Sequence, residues 1–420
     1  NKAYDDKFDT PEIAPLRQVG NAYYLELYHG LTIAFKDMAL SILPHLLTTA
    51  ARKNKLKEEI VILTATSGDT GKAALAGFAD VEGTRIIVFY PKNGVSSVQE
   101  KQMITHRGAN THVVGIRGNF DDAQTGVKEM FNNSQLTERM KKAGFVFSSA
   151  NSINIGRLIP QIVYYVYSYV SLYRKKQISY GEKVNFVVPT GNFGNILAAY
   201  YAKQIGLPIN KLICASNENK VLFDFFSTGR YDKNREFVIT ESPSMDILVS
   251  SNLERLIYHI SGDDSAETAR LMKALSTKGS YEINDSMRRN LKDFAAGWAS
   301  YEKAREAIRT LYQNNGYVID THTAVAASVY FEYINETNDE TKSVIVATAS
   351  PYKFSKSVLA AIGVSSIPED DYEQAKILAD LSHTVIPKAV EELQIAPVLH
   401  NRVCDKDKML GTVEEILKII

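Results

Sequence analysis

Four short stretches carry residue types that could do chemistry. Lys36 stands between Phe35 and a mostly apolar, helix-like run in LYHGLTIAFKDMALSILPHLL, residues 27–47. A solvated lysine belongs on a polar face, so an amine at this place is either incidental or meant to sit inside something. In VVPTGNFGN, residues 187–195, a buried-strand pattern ends in a glycine-bearing loop that opens a helix. Backbone N–H groups and the helix dipole converge there, which suits a phosphate; by itself the stretch serves a tight turn equally well. TATSGDTGKAALAGF, residues 64–78, repeats the device with Ser67, Gly68, Asp69 and Thr70, whose hydroxyls and amides suit a carboxylate. Taken alone, helix capping by Ser67 or Asp69 is the better account of that stretch. It lacks the glycine and hydroxyl spacing of a Walker A loop and the first glycine of a nucleophile elbow. In SSANSINIGRLIPQ, residues 148–161, Asn151, Ser152 and Asn154 precede Arg157. The plain reading is a surface arginine, but donors without compensating carboxylates are what a second phosphate requires.

The elements that must position these residues follow a βαβ rhythm. The runs at 60–66, 85–91, 111–116 and 145–149 are short and rich in β-branched and aromatic residues, as expected of strands buried on both faces. Helical patterns with glycines near their ends separate them. The rhythm returns at 183–190, 211–216 and 343–350, around a long charged segment near 217–320. Two mostly parallel α/β units are therefore expected, with a boundary near 150–180 and a last hundred residues that are mainly helical with one strand. At 420 residues the chain exceeds the usual size of one core, so two domains sharing a cleft are the default.

Composition narrows the function classes. Lys+Arg and Asp+Glu are both 48, so no net field draws the chain to nucleic acid or an anionic membrane. The two cysteines, Cys214 and Cys404, have no CxxC spacing and eight histidines show no metal-ligand spacing, so neither a disulfide scaffold nor a metal site is expected, and a cytoplasmic location fits. The apolar run 158–173 is too short to span a bilayer and is read as a buried helix, its tyrosines as core or a subunit contact. His29 and His322 are read as packing residues. With two anion loops and an arginine cluster in the same chain, Lys36 is placed as a Schiff-base lysine would be for pyridoxal 5′-phosphate.

Read together, HGLTIAFKD, ATSGDTG, SANSINIGR, PTGNFGN and ATASPYKF, with a weaker SPSMDI at 242–247, resemble in order and spacing the threonine synthases, pyridoxal-phosphate enzymes of the tryptophan synthase β type. The resemblance covers residues 15–365. It implies a fold-type II architecture with the cofactor in an interdomain cleft. Residues 1–45 would carry the lysine and pack on the large domain, 46–155 would form a small α/β domain, and 156–420 a large one with a helical C-terminal region. The family has several dozen residues before the position of Tyr23 and this sequence opens at Asn1, so it is expected to begin inside a longer protein.

The resemblance assigns Lys36 as the covalent cofactor lysine and proton shuttle, Gly191, Asn192, Phe193, Gly194 and Asn195 as the cofactor-phosphate cradle, and Thr348 as the partner of the pyridine nitrogen. Ser67, Gly68, Asp69 and Thr70 would surround the substrate carboxylate and the cofactor's 3′-oxygen, and Asn151, Ser152, Asn154 and Arg157 would take the substrate phosphate. Two positions depart from the pattern: Leu31 replaces a frequent proline, and Ser350 a frequent histidine. An ionised Asp69 would repel the 3′-oxygen, which weakens that assignment relative to Ser67 and Thr70. The implied reaction turns O-phospho-L-homoserine and water into L-threonine and phosphate without a metal, in a monomer or homodimer. The rival readings are a related phospho-lyase that releases a 2-oxo acid and a catalytically silent homologue; intact Lys36, Thr348 and Arg157 speak against the latter.

Overall fold

A computed structural model describes residues 3–66, 68–95, 97–152 and 154–419. Its strands are, in chain order, β1 Leu16–Val19, β2 Ala22–Glu26, β3 Glu59–Ala65, β4 Thr84–Pro91, β5 Thr111–Arg117, β6 Phe145–Ser148, β7 Val184–Pro189, β8 Ile209–Ser216, β9 Arg230–Asp232, β10 Ser280–Glu282, β11 Phe294–Trp298, β12 Ser343–Ala347 and β13 Arg402–Asp405. They form two larger sheets and the antiparallel pair β9/β10.

The first compact unit comprises residues 1–13, 29–160 and 387–420. Its sheet is all parallel, in the order β13-β5-β4-β3-β6. β3 and β4 are buried almost throughout because helices cover both faces, and their Ile/Val/Leu content follows from that. One face packs Ile60, Ile62, Ile86 and Val88 against Leu40, Leu43, Leu75 and Phe78; the other packs Val61, Leu63, Ile87 and Phe89 against Met130, Leu136 and Val413. β6 departs from the expectation of a strand buried on both faces: it lies at the sheet edge and Val146 is exposed.

The second unit comprises residues 14–28 and 161–386. Its sheet runs β1-β2-β12-β7-β8-β11, parallel except for the β1/β2 pair. The division therefore differs from the expected 1–45, 46–155 and 156–420. The early chain is split: apolar AYYLE of β2 pairs with β12, with Tyr23 opposite Val344, whereas Leu40 and Leu43, just after Lys36, join the first unit's core. Residues 387–420 return to the first unit, where β13 pairs with β5 and Met409, Val413 and Leu417 fill the core. That gives the last hundred residues two strands rather than one; RVCD is too short and mixed to read as a strand without its distant partner.

Two half-buried histidines belong to the first unit. Burial lowers both His106 and His112 from 6.5 to about 4. Between these values the unfolded chain binds protons that the folded chain does not, so stability falls as pH drops from about 6.5 to 4 and is fully present above that window. We expect the thermal midpoint to decline across this range and His106→Gln with His112→Gln to flatten the slope; an unchanged slope in the double variant would remove these histidines as its cause.

Candidate active site

In the first unit, Lys36 opens the short helix Lys36–Leu40, which packs against the helices Asp69–Phe78 and Ile155–Leu158. One short helix thus brings the lysine onto the elements carrying two of the polar motifs. Lys36 Nζ lies 3.1 Å from Asp69 Oδ2, and both side chains are about nine-tenths buried. Asp69 Oδ1 accepts from Gln99 Nε2 at 2.9 Å. Gly68 has a φ of +136°, open to glycine and strained for other residues, and makes no side-chain cap for the helix. The loop is instead held by Thr66, whose hydroxyl accepts from Gly68 N–H (2.9 Å) and Gly71 N–H (3.0 Å). Capping by Ser67 or Asp69 is the plain reading of the stretch taken alone, and Thr66 is absent from it; a hydroxyl ending a strand before a glycine turn is the available signal. Ser67 lies outside the described residues. Thr70 is half-buried in the helix's first turn.

Arg157 is buried, with one guanidinium nitrogen donating to Ala150 O at 2.9 Å. Burial lowers it to about 10, so it stays charged at neutral pH. Asn151 Oδ1 is buried and lacks a hydrogen-bond partner among the described residues; Ser152 is half-buried nearby in sequence. Asn154 makes contacts within its own loop. Its Oδ1 caps the Ile155–Leu158 helix at Gly156 N–H (2.8 Å) and its Nδ2 donates to Ser149 O (2.7 Å), so it shapes the loop.

In the second unit, Gly191 to Asn195 join β7 to the helix Gly194–Gln204. The carbonyls of Gly191 and Asn192 are taken by Ser250 Oγ (2.8 Å) and Asn252 Nδ2 (2.9 Å), and Ser251 Oγ donates to Asn192 Oδ1 (3.2 Å). The loop's acceptors are thus engaged by protein, while the first amides of the helix have no intrahelical partner and Phe193 supplies no side-chain cap. Phe193 sits at φ +63°, a left-handed conformation costly for a bulky residue. Its buried ring, near Phe226 (6.0 Å) and Phe294 (6.1 Å), holds it there. Asn195 Oδ1 accepts from the hydroxyls of Tyr164 (2.6 Å) and Tyr165 (2.5 Å), and its buried Nδ2 has no partner among the described residues. Tyr164, Tyr165 and Tyr169 of the run are buried as core, whereas Tyr167 and Tyr173 are exposed, and the first two also orient this amide.

The SPSMDI stretch packs directly on the loop. A Cβ on Gly191 would lie 2.6 Å from Ser244 O and 3.3 Å from Met245 Cα. Ser244 N–H donates to His322 Nε2 (3.1 Å), which leaves His322 Nδ1 to donate to buried Asp320 Oδ2 (2.8 Å). His322, read from sequence as packing, is therefore a fixed neutral brace for the turn behind Gly191. Thr348 follows β12 and is buried; Ser350 caps the next turn at Tyr352 N–H. His29 meets Asp9 at 2.6 Å in the first unit.

The residues of the loop suit a phosphate: a helix N-terminus whose first amides lack intrahelical partners, a buried amide donor with no partner among the described residues, and engaged acceptors. The chain matches the pyridoxal-phosphate dependent enzyme family over residues 10–349 and the threonine synthase C-terminal family over 323–399. It is 38% identical to threonine synthase of Pseudomonas aeruginosa, over 91% of this chain and 79% of that one. The chain belongs to the threonine synthase family of pyridoxal-phosphate-dependent enzymes. It is also 40% identical to human threonine synthase-like 1 over 93% of its own length, and spans about half (53%) of that protein. The crystal structure of PLP-bound threonine synthase from Brucella melitensis superposes with a TM-score of 0.82 at 35% identity, covering 98% of this chain and 82% of that one. As in this family, the cofactor is pyridoxal 5′-phosphate. Among the described residues no helix is long and apolar enough to cross a membrane, and no group of three or more His, Cys, Asp or Glu could hold a metal.

Gly191 offers a direct check on the cradle. Gly191→Ala forces a methyl against the Ser244 carbonyl, an overpacking that costs about 1–3 kcal/mol. We expect pyridoxal phosphate to bind roughly ten- to a hundred-fold more weakly in an absorbance titration; an unchanged affinity would take this loop out of the cofactor site.

Proposed function

We propose that this chain converts O-phospho-L-homoserine and water to L-threonine and phosphate. The observation that carries the reading is the packing of the Lys36 helix against both the Asp69 helix and the Arg157 helix, which joins the elements that carry an amine and a buried guanidinium within one unit. A reaction that moves a proton and expels a phosphate needs those two groups together.

Lys36 would bond the cofactor and Gly191 to Asn195 would hold its phosphate. Thr348 would meet the pyridine nitrogen with a neutral hydroxyl. Bound pyridoxal phosphate supplies the electron sink that makes protons near the substrate's amino carbon removable. The Lys36 amine, shielded from water, would take the proton at Cα and then one at Cβ, and later return one to Cγ, which becomes the methyl carbon, and one to Cα. Arg157, Asn151 and Ser152 would bind the substrate phosphate and neutralise its charge as it leaves Cγ, with Asn154 shaping their loop. Gly68 and Thr70, with Ser67, would receive the substrate carboxylate. Retention of the departed phosphate beside Arg157 would let it help activate the water that adds at Cβ.

Product analysis tests the reading. Supplied with O-phospho-L-homoserine and pyridoxal phosphate, the protein should release threonine and phosphate in equal amounts. Release of phosphate with a 2-oxo acid would replace this activity with that of the phospho-lyase, and absence of turnover would support the silent homologue.

A further inference from the structure

Asp69 has a geometry that substrate binding does not explain. Its two oxygens face different partners: Oδ2 lies 3.1 Å from Lys36 Nζ, and Oδ1 accepts from Gln99 Nε2 at 2.9 Å. Gln99 comes from a third element, the helix Ser97–Ile104, which packs on the Asp69 helix. A Cβ on Gly68 would lie 2.4 Å from Gln99 Cδ and 2.5 Å from its Nε2. The bare glycine backbone is therefore what allows the amide to reach across the loop to the carboxylate. Asp69 also stands in the first turn of its helix, where the dipole favours its negative charge.

The other charged groups on these packed elements are directed elsewhere. Asp37, next to the lysine, accepts from Thr32 N–H (2.8 Å) and the Thr32 hydroxyl (2.7 Å). Glu100, next to Gln99, accepts from Tyr90 (2.7 Å) and Lys92 (2.5 Å). Lys101 reaches Gln394 O, and Arg157 reaches Ala150 O. Lys72, on the Asp69 helix, is buried one turn further along. Asp69 places a carboxylate oxygen within ion-pair distance of the Lys36 amine.

Resting on the reading of Lys36 as the reactive amine, we infer that Asp69 is the proton partner of Lys36 and that Gln99 is the positioning residue that keeps the carboxylate aimed at it. An ammonium has no lone pair and can neither add to a carbonyl nor take a proton from carbon. Transfer of one proton from Nζ to Oδ2 converts ammonium and carboxylate into amine and carboxylic acid, with no net change of charge in a site sheltered from water. The reverse transfer resets the pair. Gln99, bonded to the second oxygen, restricts rotation of the carboxylate and favours its ionised form. This role also accounts for an acidic residue where the cofactor's 3′-oxygen would favour a neutral one.

Competitive labelling of the full chain with acetic anhydride, after removal of bound cofactor, reads the partnership directly. The Lys36 peptide is quantified by mass spectrometry across pH, with circular dichroism confirming the fold. A carboxylate within 4 Å holds the amine protonated, so Asp69→Asn should move the Lys36 labelling midpoint down by about 1–3 pH units. Asp69→Glu should recover part of the shift. Gln99→Met, which keeps the carboxylate but removes its tether, should move the midpoint the same way by less. A Lys36 midpoint unmoved in both Asp69→Asn and Gln99→Met overturns the inference; a shift in the first alone removes Gln99 from it. Should Asp69→Asn fail to fold, Gln99→Met decides by the same criterion. The labelling needs neither cofactor nor turnover. An unmoved midpoint in a protein that makes threonine therefore refutes the partnership alone, whereas a shift in a protein that makes none points to failure of the proposed reaction.

Discussion

Lys36→Ala should leave a protein that folds, binds pyridoxal phosphate without a covalent bond and turns over at least about 10²–10⁴-fold more slowly, the range a positioned acid–base group contributes. The side chain is largely buried beside Asp69, so its loss also leaves that carboxylate without its cationic partner. That penalty falls on stability, and a thermal melt separates it from chemistry. The decisive readout is the cofactor itself. Borohydride treatment of the wild type should fix pyridoxal on the peptide containing Lys36, and the alanine variant should lose this adduct together with the lysine-dependent visible absorbance. A variant that retains both the adduct and turnover would move the covalent site to another lysine, with buried Lys72 the first to examine.

The second large effect is expected at Arg157. Truncating one member of a buried, hydrogen-bonded charge pair costs about 2–5 kcal/mol, which is roughly thirty- to several-thousand-fold in kcat/KM. Arg157→Ala should show that loss with O-phospho-L-homoserine while binding pyridoxal phosphate as the wild type does. Inorganic phosphate, a competitor for the same guanidinium, should inhibit the wild type and fail to inhibit the variant. Arg157→Lys should recover only part of the rate, because an ammonium cannot reproduce the planar fork that also reaches Ala150 O. Wild-type kinetics in Arg157→Ala would assign the residue to holding the 150–157 loop and nothing more.

How much of this was legible in the chain varies from residue to residue. The glycine loop at 191–195 could be read because its parts are adjacent: a strand, two glycines and a helix start follow one another and offer amides to an anion with local backbone alone. Asn154 could be read as a donor but not as the cap of the following helix, since nothing local says whether an asparagine side chain turns to a ligand or to the helix it precedes. His322 was read as packing because its two partners are non-local in different degrees: Asp320 is two residues away and Ser244 seventy-eight. The tyrosines at 164 and 165 looked like core, and are; their hydroxyls reach Asn195 only because the two helices pack together.

The sequence alone determined the α/β class, the parallel strands and the kinds of group offered to a cofactor and a phosphate, because hydrophobic periodicity and turn chemistry act over a few residues. Tertiary structure decided which of those groups meet. It placed β2 and Lys36 in different units, returned Arg402–Asp405 to the sheet of the first, braced Gly191 through Ser244 and His322, and set Asp69 against Lys36 rather than against its own helix. These pairings span tens to hundreds of residues, and packing fixes them; no local pattern encodes the partner of a buried charge.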